Sequence, residues 1–184
     1  MTWWIWALIG TALLLILGGS SGAASGPRFG RGGYGKSPSD LLADRPAEVP
    51  EDVWRWRPLA WELAEKISYP MHPDYALAIW WRESLGDPDT PSTPEKGIGQ
   101  VLPIAVEDVN QNTGYDLQFP PRTDRRAALA SMLYDKINWG RVEGTRKQKI
   151  RKTIRAHNDG PPPFGSADSA DYAGDVMSLR EDLR

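Results

Sequence analysis

Pro73-Asp74-Tyr75-Ala76-Leu77-Ala78-Ile79-Trp80-Trp81-Arg82-Glu83-Ser84 is the stretch on which the reading of this 184-residue chain turns. Read as a helix, it places Ala76, Ile79, Trp80 and Glu83 at i, i+3, i+4 and i+7, on one face. That face is apolar until its last member, a carboxyl group. A carboxyl group set against aromatic and aliphatic neighbours loses hydration, which favours its neutral, proton-bearing form. Such groups gather at functional sites, whereas the ordinary glutamate near a helix end is simply solvated. The residues that follow decide between the two.

Outward from Ser84 the chain turns through Gly86-Asp87-Pro88-Asp89-Thr90-Pro91-Ser92-Thr93-Pro94. Its prolines lack backbone donors and cannot continue a helix. Gly97-Ile98-Gly99-Gln100 comes next, with two glycines that let backbone pass close to another element. Pro103 suits the first turn of a helix over 104–112. Further helices are predicted over 58–68, 123–138, 145–156 and 169–183, and residues 41–52 read as a short helix followed by a proline-bounded lead-in. No stretch alternates with the period of a strand and no internal repeat is present, so the fold class is all-α. Late in the chain come Ala156-His157-Asn158-Asp159-Gly160 and then Tyr172, with Val176 one turn beyond.

Taken in order, Glu83-Ser84 ending a helix, Gly97-Ile98-Gly99-Gln100 leading to Pro103, Ala156-His157-Asn158-Asp159-Gly160 and Tyr172 resemble the soluble lytic transglycosylase family, with its lysozyme-like catalytic domain. Residues 72–79 are similar to the lead-in of that family's catalytic helix, and 125–137 to the helix before its Asn segment. The likeness spans about residues 57–183. It departs at His157, where the family usually has Tyr, at Asp159, where it has Ala, and at Pro161-Pro162-Pro163 directly after Gly160. The resemblance implies cleavage of the β-1,4 bond between N-acetylmuramic acid and N-acetylglucosamine in peptidoglycan. Glu83 would be the general acid and then the base, with no carboxylate nucleophile, giving 1,6-anhydro ends. It also implies that Tyr172 orients Glu83, and that Ser84, Gly97, Gln100 and Asn158 bind substrate or shape the cleft.

Each of these residues also has a plain structural reading. Tyr172 can be a core aromatic, Asn158 a helix C-cap, Gly160 a turn residue and Gln100 a surface amide. Asp87 and Asp89 are turn formers beside Pro88 and Pro91; if either reached the cleft, it would activate a water, as in a goose-type muramidase. With 2 His and 0 Cys there is no metal-ligand spacing and no disulfide, and no cofactor fingerprint is found. His157 reads as a cleft-lining or buried ring. Of 9 Trp, some are core, while Trp80 and Trp139 are candidates to stack on sugars.

The formal net charge of −2 gives no global basic field, and no nucleic-acid partner is expected. One local basic run, Arg146 to Arg155, reads either as a solvated helix face or as a surface for anionic wall polymer. Residues 1–19 contain the apolar run Trp3–Leu17, at the short end of the ~17–25 residues of a spanning helix. It is expected to be an anchor, or else a signal cleaved near Gly22-Ala23-Ala24. Residues 20–50 form a Gly/Ser/Pro-rich linker and 51–184 the catalytic domain. The expected location is membrane-anchored and facing the cell wall; a bacteriophage virion membrane, or secretion, is the alternative. The partners are then the membrane and peptidoglycan strands. The rival readings are a muramidase hydrolase and a non-catalytic wall-binding or structural module, the latter marked by a cleft blocked at Pro161–Pro163 or by an exposed, unpaired Glu83.

Overall fold

Helices begin where the sequence supplies caps. The computed structural model describes residues 36–91, 95–164 and 167–184. It is mainly helical, in the order α1 (Pro38–Leu42), α2 (Glu51–Trp54), α3 (Arg57–Ile67), α4 (Pro73–Ser84), α5 (Pro103–Asn112), α6 (Asp124–Arg141), α7 (Arg146–Asp159) and α8 (Asp168–Asp182). Proline occupies the first turn of α1, α3, α4 and α5, where its missing donor costs nothing. Thr123 and Thr145 cap α6 and α7 through their hydroxyls, the second in a reciprocal capping box with Gln148. Among the described residues there is no strand, only an isolated antiparallel bridge between Lys96 and Val101.

The centre of the domain is α4. The sequence pattern predicts one apolar face, but every residue from Pro73 to Trp80 is buried. A helix apolar on all sides is a core helix, and α2, α3 and α8 pack around this one. Trp80 is completely buried, and its indole donates to Ser131 Oγ of α6 at 3.1 Å. It is therefore a core residue and not a sugar platform. Leu63, Leu77, Ile79, Met132 and Ile154 are likewise fully enclosed, each contributing roughly 1.5–3 kcal/mol by leaving water.

Polar ties hold both ends of α4. At its start Asp74, only 2% exposed, accepts from Arg57 Nε at 3.3 Å and from Trp61 Nε1 at 3.3 Å. The Arg57 guanidinium lies 4.3 Å from the Trp54 ring centroid, so its charge is covered on one side by an aromatic face. At its end Leu85 and Gly86 take left-handed backbone conformations, with φ of 54° and 81°. The Gly86 carbonyl accepts from Trp56 Nε1 at 2.8 Å and from Arg55 at 3.3 Å.

The packed unit starts before residue 51. Leu41 and Val49 are buried, Trp54 Nε1 donates to the Leu42 carbonyl at 3.0 Å, and α1 contacts α3. The sequence reading groups this proline-bounded stretch with the linker while placing a short helix over 41–52; Ser37 and Asp40 close a capping box that starts the helix at Pro38 and plants Leu41 in the core. The apolar run Trp3–Leu17 and the linker up to residue 35 lie outside the described residues. Among the described residues, no helix is long and apolar enough to cross a membrane.

A Cβ at Gly86 would lie 2.4 Å from the Asp52 carbonyl oxygen. With a positive φ as well, Gly86→Ala is expected to lose roughly 1–3 kcal/mol of stability. Chemical denaturation checks this; an unchanged midpoint would mean that the end of α4 is not pinned there.

Candidate active site

The last turn of α4 delivers Glu83, half-buried, to the wall of a cleft of about 680 Å³. Gln100, Tyr134, Arg141, His157, Asn158 and Pro161 also line it. Tyr172, brought by α8, donates its hydroxyl to Glu83 Oε1 at 2.5 Å. Burial, and then the Glu83 carboxyl group, push the phenol well above its ordinary pKa, so it stays a donor. Arg82 lies over the Tyr172 ring, 5.7 Å from its centroid, and pairs with Asp175 at 3.3 Å. Both contacts hold the end of α4 against α8.

Gly97-Ile98-Gly99-Gln100 forms a turn seated on α6. A Cβ at Gly97 would come within 2.4 Å of Ala127 Cβ, and one at Gly99 within 2.5 Å of Ser131 Oγ. The two glycines thus meet two small residues one helical turn apart on α6, which sets how closely the turn approaches the helix. Three of its carbonyls are held by side chains. Gly97 O accepts from Gln100 Nε2 at 2.6 Å, Ile98 O from Ser84 Oγ at 2.9 Å, and Gly99 O faces His157 Nε2 at 3.1 Å.

This arrangement sorts the residues expected to meet substrate. Ser84 is 3% exposed and its hydroxyl points to the carbonyls of Trp80 and Ile98. It buttresses the turn and does not line the cleft. Gly97 is a packing residue against α6, also outside the lining. Gln100 does line the cleft, from a left-handed backbone conformation with φ of 44°. Its Oε1 is buried and makes no hydrogen bond among the described residues. Asn158 is exposed on the cleft wall, with its amide donating to Asp159 Oδ1 at 2.8 Å. Gly160 is the C-cap of α7, and of the exposed prolines after it only Pro161 borders the cavity.

Asp87 and Asp89 are not in the lining; Asp87 Oδ1 accepts from the Asp89 amide at 2.9 Å, a local turn. Trp139 is also outside the cleft, under the Lys149 ammonium at 4.8 Å from its centroid.

Several residues here gave no sequence signal. Asp135, fully buried in α6, binds His157 Nδ1 at 2.7 Å through Oδ1 and accepts the Tyr69 hydroxyl at 2.8 Å through Oδ2. Burial opposes charge on the His157 ring, but the Asp135 carboxylate outweighs it and raises the pKa to about 9. Arg141 forms a fork with Asp108, two bonds of 2.6 Å, at the cleft border. Glu95, Glu107, Asp108 and Asp159 place further carboxyl groups on the lining beside Glu83. A lone Asp in mid-helix and a Glu after a proline-rich turn carry no periodic mark, so only the tertiary fold reveals them.

No protein-family model matches the chain, and no curated protein or solved structure matches it at a significant level.

The His157–Asp135 pair links folding to pH. The ring gains proton affinity on folding, so its stabilising contribution is complete below the unfolded value of about 6.5. It is lost as pH rises through the folded value of about 9. The melting temperature is therefore expected to fall over that window, and the slope to flatten in His157→Gln. Equal slopes in both proteins would show that the pair does not carry the linkage.

Proposed function

We propose that this protein is a lytic transglycosylase acting on peptidoglycan, with Glu83 as its acid and base. The observation that carries the reading is the 2.5 Å bond from Tyr172 to Glu83 on the cleft wall. It occupies one Glu83 oxygen and leaves the carboxyl group oriented to offer its proton from the other. The ordered likeness to the soluble lytic transglycosylase family, spread over motifs from Glu83 to Tyr172, supports the same reading. So does a mainly helical fold that brings these motifs to one cleft.

In the first step Glu83 protonates the glycosidic oxygen as the bond to the muramic acid C1 breaks. The substrate's acetamido group stabilises the positive charge left on the sugar, since no protein nucleophile is assigned. The leaving sugar departs. Glu83, now a carboxylate, takes the proton of the muramic acid 6-hydroxyl as that oxygen closes on C1. The product is a 1,6-anhydro end, no water is consumed, and the acid is regenerated. Tyr172 stays protonated throughout and keeps Glu83 in register. Gln100 and Asn158 are assigned to contacts along the glycan. The apolar run Trp3–Leu17 is assigned as a membrane anchor that faces this domain toward the wall.

A hydrolase is the second reading, and one observation favours it: Glu95 lines the same cleft as Glu83. Two carboxyl groups flanking a bond are what an inverting muramidase needs to activate water. A non-catalytic wall-binding module is disfavoured, because Glu83 is half-buried and paired with Tyr172 and the triple proline leaves the cavity open.

Digestion of purified peptidoglycan by the full chain, with products resolved by mass spectrometry, separates these readings. The expected products carry anhydro ends. Glu83→Gln is expected to lower the rate by roughly 10²–10⁴-fold, the usual share of general acid–base catalysis. Tyr172→Phe is expected to lose less, about tenfold, through misorientation of the acid. Reducing ends that vanish in Glu95→Gln would establish the hydrolase instead, and a folded parent that releases nothing would reject both.

A further inference from the structure

We infer that His157 is the positioning residue of this site: held as an imidazolium, it gives one ring N–H to Asp135 and the other to the Gly99 carbonyl, and so fixes the turn beside Glu83. As a statement about catalysis this rests on the transglycosylase reading; as a statement about the ring it stands on geometry.

Both ring nitrogens face oxygen. Nδ1 is 2.7 Å from Asp135 Oδ1 and Nε2 is 3.1 Å from Gly99 O. A carbonyl has no proton to give, and the Asp135 carboxylate already accepts the Tyr69 hydroxyl on its other oxygen. A neutral imidazole has one N–H, so beside an ionised Asp135 one of its nitrogens would turn a lone pair toward an oxygen. In a side chain only 4% exposed, no water relieves that contact. Two N–H groups satisfy both acceptors, which makes the ring a cation and pairs it with the completely buried Asp135. The protonation expected from burial opposed by the Asp135 charge agrees with this. His72 makes the contrast: its Nδ1 accepts from the Asp74 amide at 3.3 Å, so that nitrogen bears a lone pair, and burial lowers the pKa of the ring.

The ionisable groups around the ring come from several elements. Asp135 and Tyr134 face it from α6, Glu83 acts on it from α4, Tyr69 lies behind Asp135, and Tyr172 of α8 lies on Glu83. Burial raises the pKa of all three phenols, so each stays neutral. The carboxyl groups of Asp135 and Glu83 are then the acidic partners of the His157 charge.

The consequence for the cleft runs through Gly99. That residue is wedged between Ser131, which leaves no room for a Cβ, and the His157 N–H. Gln100, next in the chain, holds a left-handed backbone conformation, which persists in a non-glycine residue only when its surroundings over-determine it. Loss of the ring proton removes one of those determinants and the cation near Glu83 together.

The test is ring ¹⁵N and carbonyl ¹³C spectroscopy of the labelled full chain over pH 6–10, with the two histidines separated by a His72→Gln reference. At pH 7 both nitrogens of His157 are expected to be protonated while His72 is neutral. As pH passes about 9 the ring should titrate, and the Gly99 carbonyl signal should move with the same midpoint. The rate of anhydro-product release should fall over that same step, in kcat more than in KM, and the step should be absent in His157→Gln. A neutral His157 ring at pH 7, or a Gly99 carbonyl that ignores the ring's titration, overturns the inference, even if His157→Gln does not fold. A chain that cleaves no peptidoglycan overturns the proposed function instead, and the parent's two titrations still decide the role of His157 on the turn.

Discussion

Three backbone carbonyls in a row, those of Gly97, Ile98 and Gly99, are the constraint around which this molecule is organised. Buried carbonyl groups require partners; the turn's own backbone supplies one, from the Gln100 amide to Gly97 O at 2.9 Å, and side chains complete the set. Gln100 satisfies the first, Ser84 of α4 the second, and His157 of α7 the third. The first bond closes the turn on itself, and the other two join it to α4 and α7. The turn is also pressed onto α6 by two glycines that admit no side chain. Four segments distant in sequence therefore meet at one place, and the cleft opens beside it.

The same economy governs α4. A helix buried on nearly every side has little hydrophobic reason to prefer one rotation about its axis. Its rotation is set by polar ties at its two ends: Asp74 to Arg57 and Trp61 at the start, Ser84 to Ile98 and Tyr172 to Glu83 at the finish. In buried ion pairs such as Arg57–Asp74 and His157–Asp135, desolvation offsets much of the attraction. Here their placement makes them devices of registration: they decide which way Glu83 points.

Much of the helical framework was legible in the sequence, because it is written in local chemistry. Pro73, Pro103, Thr123 and Thr145 mark helix starts that depend on neighbouring residues alone. The link between Glu83 and Tyr172 was legible through motif order. For Ser84 and Gly97 the sequence left a structural and a substrate-facing role open, since the small polar or flexible residues that suit a binding site also suit a tight backbone turn; the fold shows the structural one. The burial of Trp80 was hidden, because an aromatic side chain carries the same letters in a core and on a sugar platform. Asp135 was invisible: its partners, Tyr69 and His157, lie 66 and 22 residues away, and only the fold brings them together. The early start of the domain was masked by proline-rich composition, which outweighed a five-residue helix whose cap and single buried leucine leave a faint trace.

The bond from Tyr172 to Glu83 spans 89 residues, and Tyr172 sits in α8. That gives the site an order of assembly. During synthesis, domains emerge from the N-terminal side first, so Glu83 is made long before the hydroxyl that orients it. A nascent chain, or one cut short before α8, carries the acid without its donor and without the wall that half-buries it. Glu83 is therefore oriented only once α8 has been made and has docked against α4.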